Sequence, residues 1–195
     1  MDDIILIGGG GHCKSVIDIV EQEGKFNIVG IVDKPEFLNS KCLGYPVIGN
    51  DSNLVDFAKK YKYALITMGQ IKSPLERIRL FDLAIKANFV LPSIVSPRAY
   101  VSKHTTIGRG VTVMNDALIN ANASIGDNCI INSKALIEHD VIIESHCHIS
   151  THATINGNVK VEKNCFVGSG VTTKESITIK KDSFINAGSL VKISN

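Results

Sequence analysis

The stretch ALIEHDVIIESHCHIS, residues 135–150, gathers Glu138, His139, Asp140, Glu144, His146 and His148 into one short segment. An imidazole titrates near neutrality, so it can take a proton from a reacting group. A carboxylate beside it fixes the tautomer and stabilises the imidazolium that forms. Glu138 and Asp140 flank His139 on either side, and spacing alone does not separate them. The same segment invites a metal reading through His146, Cys147, His148 and the nearby His152. Zinc, however, requires ligands that converge on one tetrahedron.

The frame that must hold these groups is written through the same residues. Ile137, Ile143 and Ile149 recur at every sixth position. The beat runs without insertion from Val95 to Val191, and only Thr173 breaks its apolar series. Four places after a beat residue the side chain is small or modest, as at Ala117, Ala123, Cys129, Ala135, Val141 and Cys147. Six fits neither a helix nor an ordinary strand; it is the hexapeptide period of a parallel β-helix, whose inward side chains stack coil on coil. Three hexapeptides per coil put Cys129, Cys147 and Cys165, each eighteen apart, in one inward column. Core packing explains that trio, since free cysteine behaves as a small buried hydrophobe. Cys147 points inward while its neighbours point outward, so no metal site is expected. His139 lies two places past a beat residue, near a coil corner, with Ala121 and Gly157 as its counterparts one coil away. These small neighbours leave room for an imidazole on a rigid support. The backbone N–H of Gly157 is a candidate donor to an oxyanion, because no side chain blocks approach.

Before LPSIVSP, residues 91–97, the pattern differs. IILIG is a short apolar strand entering glycines, KSVIDIVEQEG an amphipathic helix ending at Gly24, and NIVGIVD a second buried strand. YPVIGNDSNLVDFAKKY reads as a strand and then a helix capped by Asp51 or Ser52; YALITMG and SPLERIRLFDLAIKAN follow as strand and helix. Alternating strands and helices imply a parallel sheet. The fold expected is therefore an α/β Rossmann-like sheet over residues 1–92, followed by a β-helix over 93–195. In IGGGGHCKS, glycines between strand and helix let backbone amides approach a phosphate. Gly8 and Gly10 fit a dinucleotide fingerprint, but the third glycine position is Cys13. Asp33 stands where a ribose-binding acid would, so NAD is a rival ligand, although no second βαβ half exists to hold a nicotinamide.

Composition bounds the partners. The 195 residues are 44% hydrophobic and 21% charged, with formal net charge +2. No basic cluster stands out and aromatics are 6%, so nucleic acid is not expected. The apolar runs are too short to span a bilayer, and MDDII is acidic where a signal peptide is basic. Five cysteines, an odd number, fit a reduced cytoplasmic setting.

IGDNCI, IINSKALIEHD and VEKNCFVGSGV resemble the repeats of left-handed β-helix acyltransferases. With ILIGGGGHCKSVIDIV in front, nearly the whole chain resembles the sialic acid O-acetyltransferase (NeuD) family, and within it the PglD-type nucleotide-amino-sugar N-acetyltransferases of the bacillosamine pathway. The resemblance implies the left hand of the helix, acetyl-CoA as co-substrate and a bacterial role in surface glycan synthesis. It implies a UDP-4-amino-4-deoxy sugar as acceptor, with O-acetylation of a sialic-acid-like sugar, or catalytically silent sugar-nucleotide binding, as alternatives. It implies His139 as base with Asp140 behind it. Gly10, Gly11, His12, Asp33, Lys34 and Gly69 would contact the nucleotide sugar, with Asn132 near the acceptor. His148, Ser169 and Ala187 would line the coenzyme groove. It implies a homotrimer, consistent with the outward apolar Leu118, Leu136, Ile142 and Phe166. Two departures stand out. Lys34 replaces the acidic or small residue usual after the aspartate. The chain also stops at SLVKISN, where relatives continue into a GVPA-like segment; the expectation is weaker coenzyme binding, or contacts supplied by another subunit.

Overall fold

The computed structural model describes residues 1–193; the end of the SLVKISN stretch lies outside the described residues. The chain divides into two compact units, Met1–Gly69 with Leu75–Ile94, and Gln70–Pro74 with Val95–Asn195.

The first unit is built on strands β1 (Asp2–Ile7), β2 (Phe26–Val32), β3 (Lys41–Cys42), β4 (Tyr45–Gly49) and β5 (Tyr63–Ile66). The sheet order is β3-β4-β2-β1-β5, parallel throughout except for the β3–β4 edge pair. A parallel strand covered on both faces must be apolar without alternation. Ile4, Ile5, Leu6 and Ile7 in β1 are accordingly all buried. Helix α1 (Gly11–Glu23) starts three residues earlier than the apolar pattern indicated, so Gly11, His12 and Cys13 form its first turn. It stops at Gly24, whose left-handed backbone (φ 66°) returns its N–H to the Val20 carbonyl. Helix α2 (Leu54–Ala58) follows a short 3-10 turn, Asp51–Asn53. The cap there is Asn50 rather than Asp51 or Ser52: its side chain accepts from the Ser52 N–H, while Asn53 reaches back to the Asn50 N–H. Helix α3 (Leu75–Lys86) buries Arg77, Leu80, Phe81 and Ala84, the i, i+3, i+4, i+7 face. Truncating Leu80 to alanine would cost about 2–5 kcal/mol.

The second unit is a series of two-residue strands from Ile94–Val95 to Leu190–Val191, in parallel sheets of six, five and six strands. Paired residues lie eighteen positions apart, as Ile119 with Ile137 and Ile137 with Ile155. This is a three-sided parallel β-helix. Beat residues from Val113 to Ile179 form one buried column-lined core, joined by Cys129, Cys147 and Cys165. Each of these thiols points at a carbonyl of the next coil, such as Cys147 Sγ to Glu162 O at 3.1 Å. Hydrogen bonding with the Cys129 thiol and then the Cys165 thiol, followed by burial, drives the Cys147 thiol well above the ordinary range.

The corners carry a second period that the apolar beat does not announce. Three places past each beat residue from Ile107 to Ile185 the backbone is left-handed; among these, Asp116, Asn122, Asn128, Asp140, Asn158, Asn164 and Asp182 have φ between 58° and 65°. Side chains other than glycine resist this region, and Asn and Asp tolerate it best. This explains why those two residue types dominate the corners.

Candidate active site

His139 stands at the outer edge of the corner that follows the Leu136–Ile137 strand. In an extended strand, successive side chains point to opposite sides. The left-handed turn at Asp140 (φ 61°) removes that restriction and lets neighbours meet. Asp140 Oδ2 lies 2.7 Å from His139 Nδ1, so the ring donates to the carboxylate and Nε2 is left as the basic nitrogen. The other carboxylate oxygen accepts from Asn122 Nδ2 at 2.7 Å. Glu138 turns elsewhere: it accepts from Asn120 Nδ2 at 2.9 Å and from the backbone N–H of His139. The carboxylate against the ring is therefore that of Asp140. The side chains of His139 and Asp140 are 63% and 47% exposed, so the pair faces solvent. The Asp140 hydrogen bond raises the His139 pKa above its ordinary value. The Asn122 hydrogen bond, and then His139 itself, hold Asp140 below the usual carboxylate range.

Gly157 lies on the next coil against the ring. A Cβ there would sit 2.9 Å from both Cε1 and Nε2 of His139. The glycine thus makes the space that the imidazole occupies. Asn158 N–H donates to the His139 carbonyl at 3.0 Å, which ties the two corners together.

His148 is on another face of the prism and is only 6% exposed. Its Nδ1 donates to the Gln70 carbonyl, which leaves Nε2 to accept from Asn132 Nδ2 at 3.1 Å. Its ring packs edge-on against Phe166 at 5.2 Å. Asn132 and His148 thus meet, as parts of one buried polar cluster. Gln70, which organises that cluster and also donates to the His146 carbonyl at 3.0 Å, carried no sequence signal. Ser169 and Ala187 are exposed at successive coils of the corner beyond His148, where the Gly188 N–H donates to the Ser169 carbonyl at 2.8 Å. That corner is not the one bearing His139, so a single protomer does not bring His139 together with Ser169 and Ala187. The residues of the metal reading also diverge: His146 Nδ1 faces Asn128 Nδ2 at 3.1 Å while Cys147 points into the core. Among the described residues no group of three or more such side chains is disposed around a common point.

In the first unit, the loops at the carboxyl ends of β1, β2 and β5 converge. The chain order reverses across β1, and that is where open α/β sheets form a crevice. Gly8 (φ 103°) packs so tightly on Met68 that a Cβ would fall 2.8 Å from its nitrogen. Gly9 donates to Asp33 Oδ2 at 2.9 Å, and the other Asp33 oxygen accepts from the Lys34 N–H at 2.8 Å. A Cβ on Gly69 would approach that of His12 at 3.4 Å. Gly10 and Gly11 differ: nothing in the chain lies within 4 Å of a Cβ placed there. Internal packing does not demand glycine at these two positions, which are exposed at the N-terminus of α1. Two clefts meet at Asp33. One, of about 320 Å³, is lined by Asp33, Lys34, Asn50, Ser52 and Arg79 among others. The second, of about 360 Å³, includes Gly9, Gly10, Lys14, Asp33 and Lys41. Lys14 and Lys41 give it two cations that the motif reading did not single out.

The PglD N-terminal domain matches residues 3–79, and bacterial transferase hexapeptide repeats match 104–139 and 122–157. No protein with a curated description matches the sequence. Among solved structures, perosamine N-acetyltransferase from Caulobacter crescentus, in complex with CoA and GDP-perosamine, is 30% identical with TM-score 0.93, over 100% of this chain and 90% of that one. The acetyltransferase domain of PglB from Neisseria gonorrhoeae, in complex with acetyl coenzyme A, is 25% identical with TM-score 0.91, over 98% of this chain and 91% of that one. WeeI from Acinetobacter baumannii, at 22% identity and TM-score 0.86 over 100% and 93% of the two chains, shares the fold. The β-helix is left-handed, as in these hexapeptide enzymes. A Rossmann-like unit, a left-handed hexapeptide β-helix and these full-length likenesses together define the family: the chain belongs to the PglD-type sugar N-acetyltransferases, which depend on acetyl-CoA.

Proposed function

We propose that this chain moves the acetyl group of acetyl-CoA to the amine of a nucleotide-linked amino sugar, a UDP-4-amino-4-deoxy sugar of the bacillosamine type, in surface glycan synthesis. The observation that carries the reading is the relay Asn122–Asp140–His139 standing beside Gly157. The neutral Nε2 of His139 takes a proton from the amine as its nitrogen attacks the thioester carbonyl. The Gly157 N–H is the candidate donor to the oxygen that becomes negative. Collapse breaks the C–S bond, an amide is formed, and the thiolate of coenzyme A takes up a proton. No acyl-enzyme is involved.

The nucleotide sugar would occupy the first unit, with its phosphates near the Gly10 and Gly11 amides and the lysines of the second cleft, and its ribose toward Asp33. His12, Lys34 and Gly69 border that region, and Asn132 would stand near the acceptor. His148, Ser169 and Ala187 would line the coenzyme groove. Because His139 and that groove lie at different corners of one prism, we propose a homotrimer in which one subunit's groove serves the histidine of the next. Ile142, 46% exposed beside the His139 corner, suits a subunit face. Among the described residues no helix is long and apolar enough to cross a membrane. All five cysteines are free, which suits the reducing cytoplasm.

A GDP-linked amino sugar is the second reading, favoured by the Caulobacter neighbour crystallised with GDP-perosamine. Thiol release from acetyl-CoA, followed across UDP- and GDP-linked 4-amino sugars and a sialic acid, tests all of these. Turnover with an amino sugar alone supports the proposal, and the preferred nucleotide decides between the two readings. Turnover only with the hydroxyl acceptor, or tight sugar binding without thiol release, overturns it.

A further inference from the structure

The beat of β-branched apolar residues fails once, at Thr173, which is 1% exposed in the core. Thr173 lies on the face that leads into the His139 corner, one coil above Ile155 and two above Ile137. On this face the residue after each beat position donates its N–H to the beat carbonyl one coil up. Ser102 does so to Ile119, Asn120 to Ile137, Glu138 to Ile155 and Lys174 to Val191, at 2.7–3.0 Å. Asn156 does not. Its N–H donates to Thr173 Oγ1 at 2.9 Å, and its side-chain Nδ2 takes the Thr173 carbonyl at 2.6 Å. The ladder accordingly pairs Thr154 with Thr172 and goes no further, whereas the coils below and above pair both residues.

The residue immediately after this exchange is Gly157, against which the His139 imidazole rests. A valine at 173 would satisfy the core and restore the ladder, so stability alone does not ask for a threonine. Local rules broken without a packing reason point to function. The corner itself keeps its regular bonds, Asn158 N–H to the His139 carbonyl and Ser176 N–H to the Gly157 carbonyl, so the exchange is confined to the residue that leads into it. We infer that Thr173 and Asn156 are positioning residues: their exchanged hydrogen bonds set the orientation of the Gly157 amide and the space that the glycine leaves for the His139 imidazole. This rests on the reading of His139 as the base.

Steady-state kinetics on the full-length enzyme with acetyl-CoA and the best amino-sugar acceptor test the inference. A misplacement approaching 1 Å costs up to about 10²-fold in rate, so Thr173→Val should lower kcat by roughly 10- to 100-fold. Both KM values should stay within about twofold, as expected when an interaction is lost only in the transition state. Its melting temperature should equal or exceed that of the parent, and the acid limb of its pH profile should not move, because Asp140 and Asn122 are untouched. Thr173→Ser keeps the acceptor oxygen and should retain activity. Asn156→Ala, at a half-buried position outside the core column, removes the other half of the exchange and should reproduce the kcat loss even if the valine variant folds poorly. Parental kcat in both Thr173→Val and Asn156→Ala, or a change confined to KM, overturns the inference. His139→Ala is assayed alongside: if it is inactive while Thr173→Val is normal, only this inference falls. If His139→Ala is itself near normal, the reading of the base falls first.

Discussion

Replacing Gly157 by alanine adds one methyl to the least forgiving point of the site. The new carbon would lie 2.9 Å from Cε1 and Nε2 of His139. Carbon atoms at optimal contact are about 3.5–4.0 Å apart, so the ring must retreat by roughly 0.5–1 Å. The core does not resist this, because the imidazole is 63% exposed and can swing toward water. Gly157 does not occupy the left-handed region, so alanine introduces no backbone strain. Stability should therefore change by no more than about 0.5 kcal/mol, as for surface substitutions generally. Catalysis should suffer, since displacement of a reacting group by about 1 Å costs up to about 10²-fold. The main-chain N–H survives the substitution, so the loss reports on the displaced base and not on a missing oxyanion donor. Thiol release at saturating substrates should show kcat down roughly 10- to 100-fold with an unchanged melting temperature. Turnover within twofold of the parent, with the protein folded, would refute the idea that Gly157 clears the space for a working imidazole.

Other outcomes follow from the same geometry. A base must be neutral to act, so activity should rise with pH through the His139 pKa, which the Asp140 bond holds above its ordinary value. Asp140→Asn removes the charge, lowers that pKa and should shift the acid limb to lower pH while reducing the plateau rate; a limb that stays in place contradicts the pairing. Asp33→Ala should weaken nucleotide-sugar binding in calorimetry and spare coenzyme A, and His148→Ala should do the reverse. Loss of both ligands in either variant would break the division of labour between the units. Ile142→Glu should dissociate the oligomer and abolish turnover together, and an active monomer in light scattering would contradict a shared site.

The β-helix was legible because inward positions are locked to a six-residue period by geometry, and Ile137, Ile143 and Ile149 announce it inside the very segment proposed to carry the chemistry. The corner period was just as regular, in Asn122, Asp140, Asn158 and their fellows, but it tracks a left-handed backbone rather than hydrophobicity, and polar residues near turns draw little notice. The choice between Glu138 and Asp140 was not legible. Both are one residue from His139, and only the left-handed turn at Asp140 decides which reaches the ring. Asn122 and Asn120, eighteen residues before their partners, could have been found by reading the outward positions coil by coil. Gln70 could not: its bond to His148 spans 78 positions and follows no period. In the first unit the glycine loop was read correctly as a strand-to-helix turn, but the helix started earlier, at Gly11, because glycine and histidine do not advertise a helical turn. That shift changes the reading of Gly10 and Gly11 from loop residues to an exposed helix N-terminus.

The central claim is that His139 removes the proton from a sugar amine during direct attack on acetyl-CoA. Single-turnover product analysis by mass spectrometry, comparing the parent enzyme with His139→Ala on an amino sugar-nucleotide, tests it most directly. A positioned base contributes about 10²–10⁴-fold in rate, so the parent should give the N-acetylated sugar and the variant should form it more slowly by that factor, with both substrates still bound. Product formation by His139→Ala at a rate near that of the parent would contradict the account.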